Sequence, residues 1–144
     1  MKNFLDYVHN NDNHITLEES KDRNSLVFAF VGDAVFSLFV RSYLAEVSTA
    51  KAGVLHTEAS KFVRASYQKK LLELIEKKLS EEESAIILTA RNTKTNNIAK
   101  HSNLEEYKKS TSFEALIGFL YLTGKNDRLF QILNICKRQM EEDL

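Results

Sequence analysis

The chain has 144 residues, enough for one domain with a sizeable core, and its 20 basic and 20 acidic side chains leave no net charge to carry it onto a polyanion by itself. With no proline and four glycines, helix breakers are scarce, and an all-α fold is expected. The lone cysteine, Cys136, excludes an internal disulfide framework and fits a reducing compartment.

In chain order, MKNFLDYVHNNDNH has neither the apolar core nor the small-residue cleavage site of a signal peptide. Thr16 followed by Glu19 has the spacing of a capping box. From about Ser25 to Val47 the sequence is apolar on every side, which predicts a buried helix. Its apolar run of about fifteen residues is shorter than the roughly 18 to 20 needed to cross a bilayer, so a soluble cytoplasmic protein without a membrane partner is expected. Lys51 to Leu79 carries Val54, Leu55, Phe62, Ala65, Leu72 and Ile75 at helical spacing.

Ser80 with Glu83 marks a second capping box, opening the helix EEESAIILTAR. NTKTNNIAKHSN is the longest polar stretch and reads as a surface loop. STSFEALIGFLYLTG then predicts another nearly all-apolar helix, closed by Gly124 at its C′ position. Asn126 or Asp127 is expected to cap a last amphipathic helix carrying Leu129, Ile132, Leu133, Cys136 and Met140. With no repeat and no linker, residues 1–144 read as a single domain, a compact bundle of about six or seven helices.

Charge is unevenly spread. Residues 51–109 hold 12 basic and 8 acidic side chains, a net of +4, against −3 before them and −1 after. That middle third is the candidate phosphate-facing surface, although clustered lysines are more often a solvated helix face.

Each of the two very apolar runs contains one acid, Asp33 in FAFVGDAVFSLFV and Glu114 in STSFEALIGFLYLTG. Gly32 adjoins Asp33, and Gly118 lies one turn after Glu114 on the same face, so small residues would let the two backbones approach and bring the acids together. Two adjacent carboxylates repel and share protons unless a divalent cation lies between them. The structural alternative puts Glu114 in the first turn of its helix, favoured by the helix dipole, and pairs Asp33 with Arg41 or a lysine.

These residues also carry a resemblance. FVGDAVFSLFVR resembles the signature helix of the ribonuclease III family, and STSFEALIGFLYLTG resembles its second motif, in the family's order and about eighty residues apart. The resemblance implies a ribonuclease III-type catalytic domain in which Asp33 and Glu114 are the catalytic and metal-binding acids. Three acids that ordinary members carry are replaced here, by Leu26, Ala29 and Thr111. These losses resemble the Mini-III branch, as do LHTEASKFVRASYQ and ARNTKTNN.

The activity implied by the resemblance is that of a metal-dependent endoribonuclease using Mg²⁺, or Mn²⁺, to hydrolyse phosphodiester bonds in double-stranded RNA. In relatives the substrate is large-subunit (23S) ribosomal RNA precursor, and a large-subunit ribosomal protein is a possible presenter. A homodimer is implied, with Phe30 as the aromatic inserted into the partner subunit. Arg64, Gln68, Arg91, Asn92 and Lys94 are the candidate RNA contacts, each with an ordinary surface role as its alternative. His9, His14, His56 and His101 show no metal-ligand spacing; only His56 sits at a position similar to the branch. Two other classes stay open: a catalytically inert RNA-binding or ribosome-associated dimer of the same fold, and a helical protein-interaction module.

Overall fold

The structure, a computed structural model, describes residues 8, 14–93 and 103–144. Among the described residues there is no strand, in agreement with the all-α expectation. The helices are α1 (Leu17–Ser20), α2 (Ser25–Val47), α3 (Ala52–Val63), α4 (Ala65–Ile75), α5 (Glu81–Asn92), α6 (Leu104–Leu122) and α7 (Asn126–Asp143), with a 3-10 turn at Glu76–Lys78 between α4 and α5. Both capping boxes form. Thr16 Oγ1 accepts from the Glu19 amide at 3.1 Å, and Ser80 Oγ from the Glu83 amide at 3.2 Å, with each glutamate reaching back to its cap's own N–H. Gly124 has φ 71° and ends α6 as expected. Its amide donates to Tyr121 O and that of Lys125 to Leu120 O, closing a Schellman motif.

Helix α6 is the axis of the fold and packs against α2, α4, α5 and α7. From Ser110 to Tyr121 every residue but Glu114 is buried, so the second apolar run is the buried helix its composition predicts. Around it lie fully buried Phe28, Phe36, Leu71, Leu72, Ile75, Leu129 and Ile132. Each such side chain contributes about 1.5 to 3 kcal/mol on leaving water.

The structure corrects several expectations. Helix α2 is not buried all round: one face carries Phe28, Gly32, Phe36 and Val40 inward, while Val27, Phe30 and Leu38 stand exposed. It also continues past the apolar run, and at 23 residues it is long and apolar enough, by length and composition alone, to cross a membrane. Lys51–Leu79 is not one helix; the chain turns at Arg64 (φ −70°, ψ 156°), which ends α3 and begins α4. No glycine or proline marks that corner. It lets both helices bury their apolar faces, and the Phe62 and Tyr67 rings meet edge to face across it at 5.0 Å.

Helix α6 begins six residues before Ser110, because Asn103 caps it by accepting from the Glu106 amide at 2.7 Å. The N-cap of α7 falls on Lys125, with no side-chain hydrogen bond, rather than on Asn126 or Asp127.

Candidate active site

Helices α2 and α6 cross in opposite directions. Phe28 meets Phe119 at 5.8 Å and Phe36 meets Phe113 at 5.1 Å, both edge to face, with the glycines between them. A Cβ on Gly32 would overlap the carbonyl oxygen of Glu114 and lie 2.8 Å from the amide nitrogen of Gly118. One on Gly118 would overlap the carbonyl of Phe28. Only hydrogen at both positions permits this approach. Its product is the meeting of two acids that stand apart in sequence: Asp33 and Glu114 line one cleft, close enough for each carboxyl to act on the other.

The electrostatics of the pair fall on Glu114. Burial raises its carboxyl most, and the hydrogen bond and charge of Asp33 raise it further, to about 9; a hydrogen bond from Gln68 pulls the other way. Asp33 itself is exposed, because it stands on the side of α2 that α6 does not cover. The desolvation expected of Asp33 from its apolar surroundings therefore falls on the half-buried Glu114. The structural alternative fails on both acids. Glu114 lies well inside α6, beyond the reach of a first-turn dipole, and among the described residues no arginine or lysine pairs with Asp33.

A cleft of about 430 Å³ opens over the two acids, lined also by Leu26, Ala29, Phe30, Tyr107 and Thr111. The three positions at which the sequence departs from ordinary ribonuclease III signatures, Leu26, Ala29 and Thr111, all face this one cleft. The departures thin a single acidic site rather than scattering over the surface. Among the described residues no third His, Cys, Asp or Glu completes a ligand cluster. What remains is a pair of hard oxygen donors, with the Glu114 carboxyl held well above its ordinary value, beside open space for water. That donor set fits Mg²⁺, which keeps several waters and takes one or two carboxylates.

The family profile "Ribonuclease III domain" matches residues 26–125, which include both acids. The chain belongs to the ribonuclease III family. Family membership places it among the ribonucleases, a class of hydrolases. It is 37% identical to a Mini-ribonuclease 3 of Clostridium tetani over 88% of this chain and 85% of that protein. It is 36% identical to a Mini-ribonuclease 3 of Thermoanaerobacter over 98% of this chain and 99% of the relative. A crystal structure of a Fusobacterium nucleatum protein superposes with a TM-score of 0.75 at 31% identity, covering 84% of this chain and 97% of that one.

In this ribonuclease III family chain, none of the described candidate RNA contacts lines the acidic cleft. Arg64 is exposed at the α3–α4 corner and lines a separate cleft with Lys61, Tyr67 and Lys70. Arg91 lines another, with Glu76 and Leu88, and Asn92 is exposed at the end of α5. Lys94 lies outside the described residues, as do His9 and His101. His56 faces a groove between α2 and α3, not the acidic cleft. Much of the middle third's positive charge is also spent internally: Lys61 pairs with Glu58, Lys70 with Asp143, and Lys69 and Lys109 with Glu73 and Glu105.

Gln68 is a correction. It is 1% exposed, with no surface to offer RNA, and its side chain accepts a hydrogen bond from Ser110, one turn from Glu114. A sequence signal for this exists: Gln68 precedes the buried Leu71, Leu72 and Ile75 at spacings of three, four and seven, a core position of its helix. Ser110, which sequence reasoning misses, opens a buried polar triplet with Thr111 and Ser112.

Proposed function

We propose that residues 1–144 act as one catalytic domain, a metal-dependent endoribonuclease that hydrolyses phosphodiester bonds in double-stranded RNA. The observation that carries this reading is the meeting of Asp33 and Glu114 in an open cleft, made possible by two glycines with no room for a side chain. Asp33 would hold the cation from the solvent side and Glu114 from the helix crossing. When bound, Mg²⁺ or Mn²⁺ supplies Lewis-acid activation of water and neutralises charge on the scissile phosphate. The two helices keep the carboxylates in place before substrate arrives, so the reaction bears little of the cost of arranging them.

The active form is a homodimer in which Phe30, exposed beside the cleft, inserts into the partner subunit. Arg64, Arg91, Asn92 and Lys94 contact phosphates and 2′-hydroxyls of an A-form duplex. The physiological substrate is precursor 23S ribosomal RNA in the cytoplasm. Zero net charge makes the chain's own affinity for RNA modest, and a large-subunit ribosomal protein presents the substrate.

Incubating the chain with long duplex RNA, in Mg²⁺ and in chelator, tests this. Discrete cleavage that needs the cation supports it. Binding of the duplex without cleavage in Mg²⁺ or Mn²⁺ would instead assign an inert RNA-binding dimer, the reading that the thinned acidic set favours.

A further inference from the structure

The buried amide of Gln68 does not line the cleft; it lies against α6 beside Glu114. Ser110 Oγ donates to Gln68 Oε1 at 2.5 Å. With the oxygen so engaged, the amide nitrogen is the end left for Glu114, one helical turn from Ser110. Gln68 is on α4 and Ser110 and Glu114 are on α6, one turn apart on the same face, so the Ser110–Gln68 bond ties α4 to the acid-bearing helix beside Glu114. Gln68 is neutral, so it brings a donor to this position without adding a third charge. Leucine would fill the space of this core position; an amide also accepts from Ser110 and leaves a donor beside Glu114.

We propose that Gln68, oriented by Ser110, is a positioning residue that holds the Glu114 carboxylate in the orientation a divalent cation requires. The inference rests on Asp33 and Glu114 being the metal site, and it deepens that reading by assigning their supporting shell. Partners of this kind orient a ligand, and their loss typically weakens metal affinity or activity by about 10- to 100-fold.

The test compares wild type, Gln68→Met and Ser110→Ala in the full-length chain. Methionine is close in volume and keeps the core filled. Mn²⁺ binding is followed by electron paramagnetic resonance of the free ion and by the melting-temperature rise it induces. Affinity for duplex RNA is measured in chelator, and the cleavage rate under enzyme excess.

Gln68→Met is expected to bind Mn²⁺ about tenfold or more weakly, to cleave correspondingly slowly, and to bind RNA within about twofold of wild type. Ser110→Ala, which removes only the hydroxyl, is expected to shift both in the same direction severalfold and remains informative if Gln68→Met does not fold. Unchanged Mn²⁺ affinity in both variants, with only a lower melting temperature, would show a structural amide and overturn the proposal. Lost RNA affinity with intact Mn²⁺ binding would overturn it in favour of an RNA contact. If wild type itself binds no Mn²⁺, the site reading falls and takes this inference with it.

Discussion

Gly32 and Gly118 face each other across the crossing of α2 and α6, and a methyl group on either would overlap backbone of the opposite helix. Backbone cannot step aside as a flexible side chain does, so the helices would have to separate. Gly32→Ala and Gly118→Ala are each expected to lose about 1 to 3 kcal/mol of stability, the usual cost of overpacking, and to abolish cleavage in the molecules that still fold. Gly53 is the internal control. Nothing lies within 4 Å of a Cβ built there, so Gly53→Ala is expected to be neutral or stabilising by up to about 1 kcal/mol. Thermal melts of the three variants, with a cleavage assay, check this; a Gly32→Ala protein that melts and cleaves like wild type would refute the close-packed crossing.

Asp33→Asn and Glu114→Gln are each expected to abolish cleavage with little loss of stability. The exposure of Asp33 and the absence of a cationic partner among the described residues remove the reason to expect the roughly 3 to 5 kcal/mol penalty of an orphaned buried charge. Glu114→Gln loses an oxygen ligand but keeps groups that can bond both Asp33 and Gln68. Circular dichroism and melting beside a duplex-cleavage assay distinguish lost chemistry from lost fold. Near-normal turnover in either variant would remove these acids from the site.

How much of the fold and site is legible in the sequence depends on which signals are local. Capping boxes at Thr16 and Ser80, the C′ glycine at 124 and the acid-glycine pairs are written in a few adjacent residues, and the structure contains each of them. The corner at Arg64 has no local signal; only the packing of α3 and α4 on different neighbours creates it. The exposure of Asp33 is hidden because composition cannot say which face of an apolar helix the same chain covers. The early start of α6 hides for a related reason: Leu104–Lys109 is polar, yet Asn103 caps it and Lys109 ties it to Glu73 of α4 at 3.0 Å. Polarity alone puts Gln68 on the surface, although its spacing from Leu71, Leu72 and Ile75 puts it in the core.

Phe30 is 79% exposed, with Val27 and Leu38 also uncovered on α2. Burial of one phenylalanine is worth about 1.5 to 3 kcal/mol, and a two-fold dimer would count it twice. Phe30→Asp is therefore expected to shift the chain from dimer to monomer in analytical ultracentrifugation, with cleavage lost and the helical signal retained. A monomeric wild type, or a variant that still dimerises at the same concentration, would remove Phe30 from an interface.

The acid limb of the stability curve is expected to depend on Glu83. Burial pushes its carboxyl up, but the Arg128 guanidinium and the Ser80 N–H more than offset that, and the net direction is downward. Arg128 Nε donates to Glu83 Oε2 at 2.8 Å and Nη2 to Oε1 at 2.9 Å, tying α7 to α5. A carboxylate with a lowered folded pKa adds stability above its ordinary value of 4.5, and this is lost as pH falls through the lower folded value. Glu83→Gln is expected to flatten that limb, and Arg128→Met, which strands a buried carboxylate, to cost about 3 kcal/mol at about pH 7. Melting curves over the acid range test this; parallel limbs in wild type and Glu83→Gln would refute it.

With chelator present, the carboxyl of Glu114 behaves in the opposite sense. Its folded value, about 9, is above its ordinary 4.5, so its contribution to stability is complete below 4.5 and is lost as pH rises toward 9. Wild type in chelator is expected to melt progressively lower over that range relative to Glu114→Gln, which has no proton to lose there. A divalent cation requires the deprotonated carboxylate, so Mn²⁺ binding should release a proton and the stabilisation it gives should grow with pH. At about 100 times its dissociation constant, a ligand of the folded state adds about 2.7 kcal/mol, which is easily read as a rise in melting temperature. Asp33→Asn, lacking one of the two anionic donors, is expected to show little of that rise. If Mn²⁺ stabilises wild type and Asp33→Asn equally, the cation binds elsewhere, and the raised carboxyl of Glu114 is a feature of the packing alone.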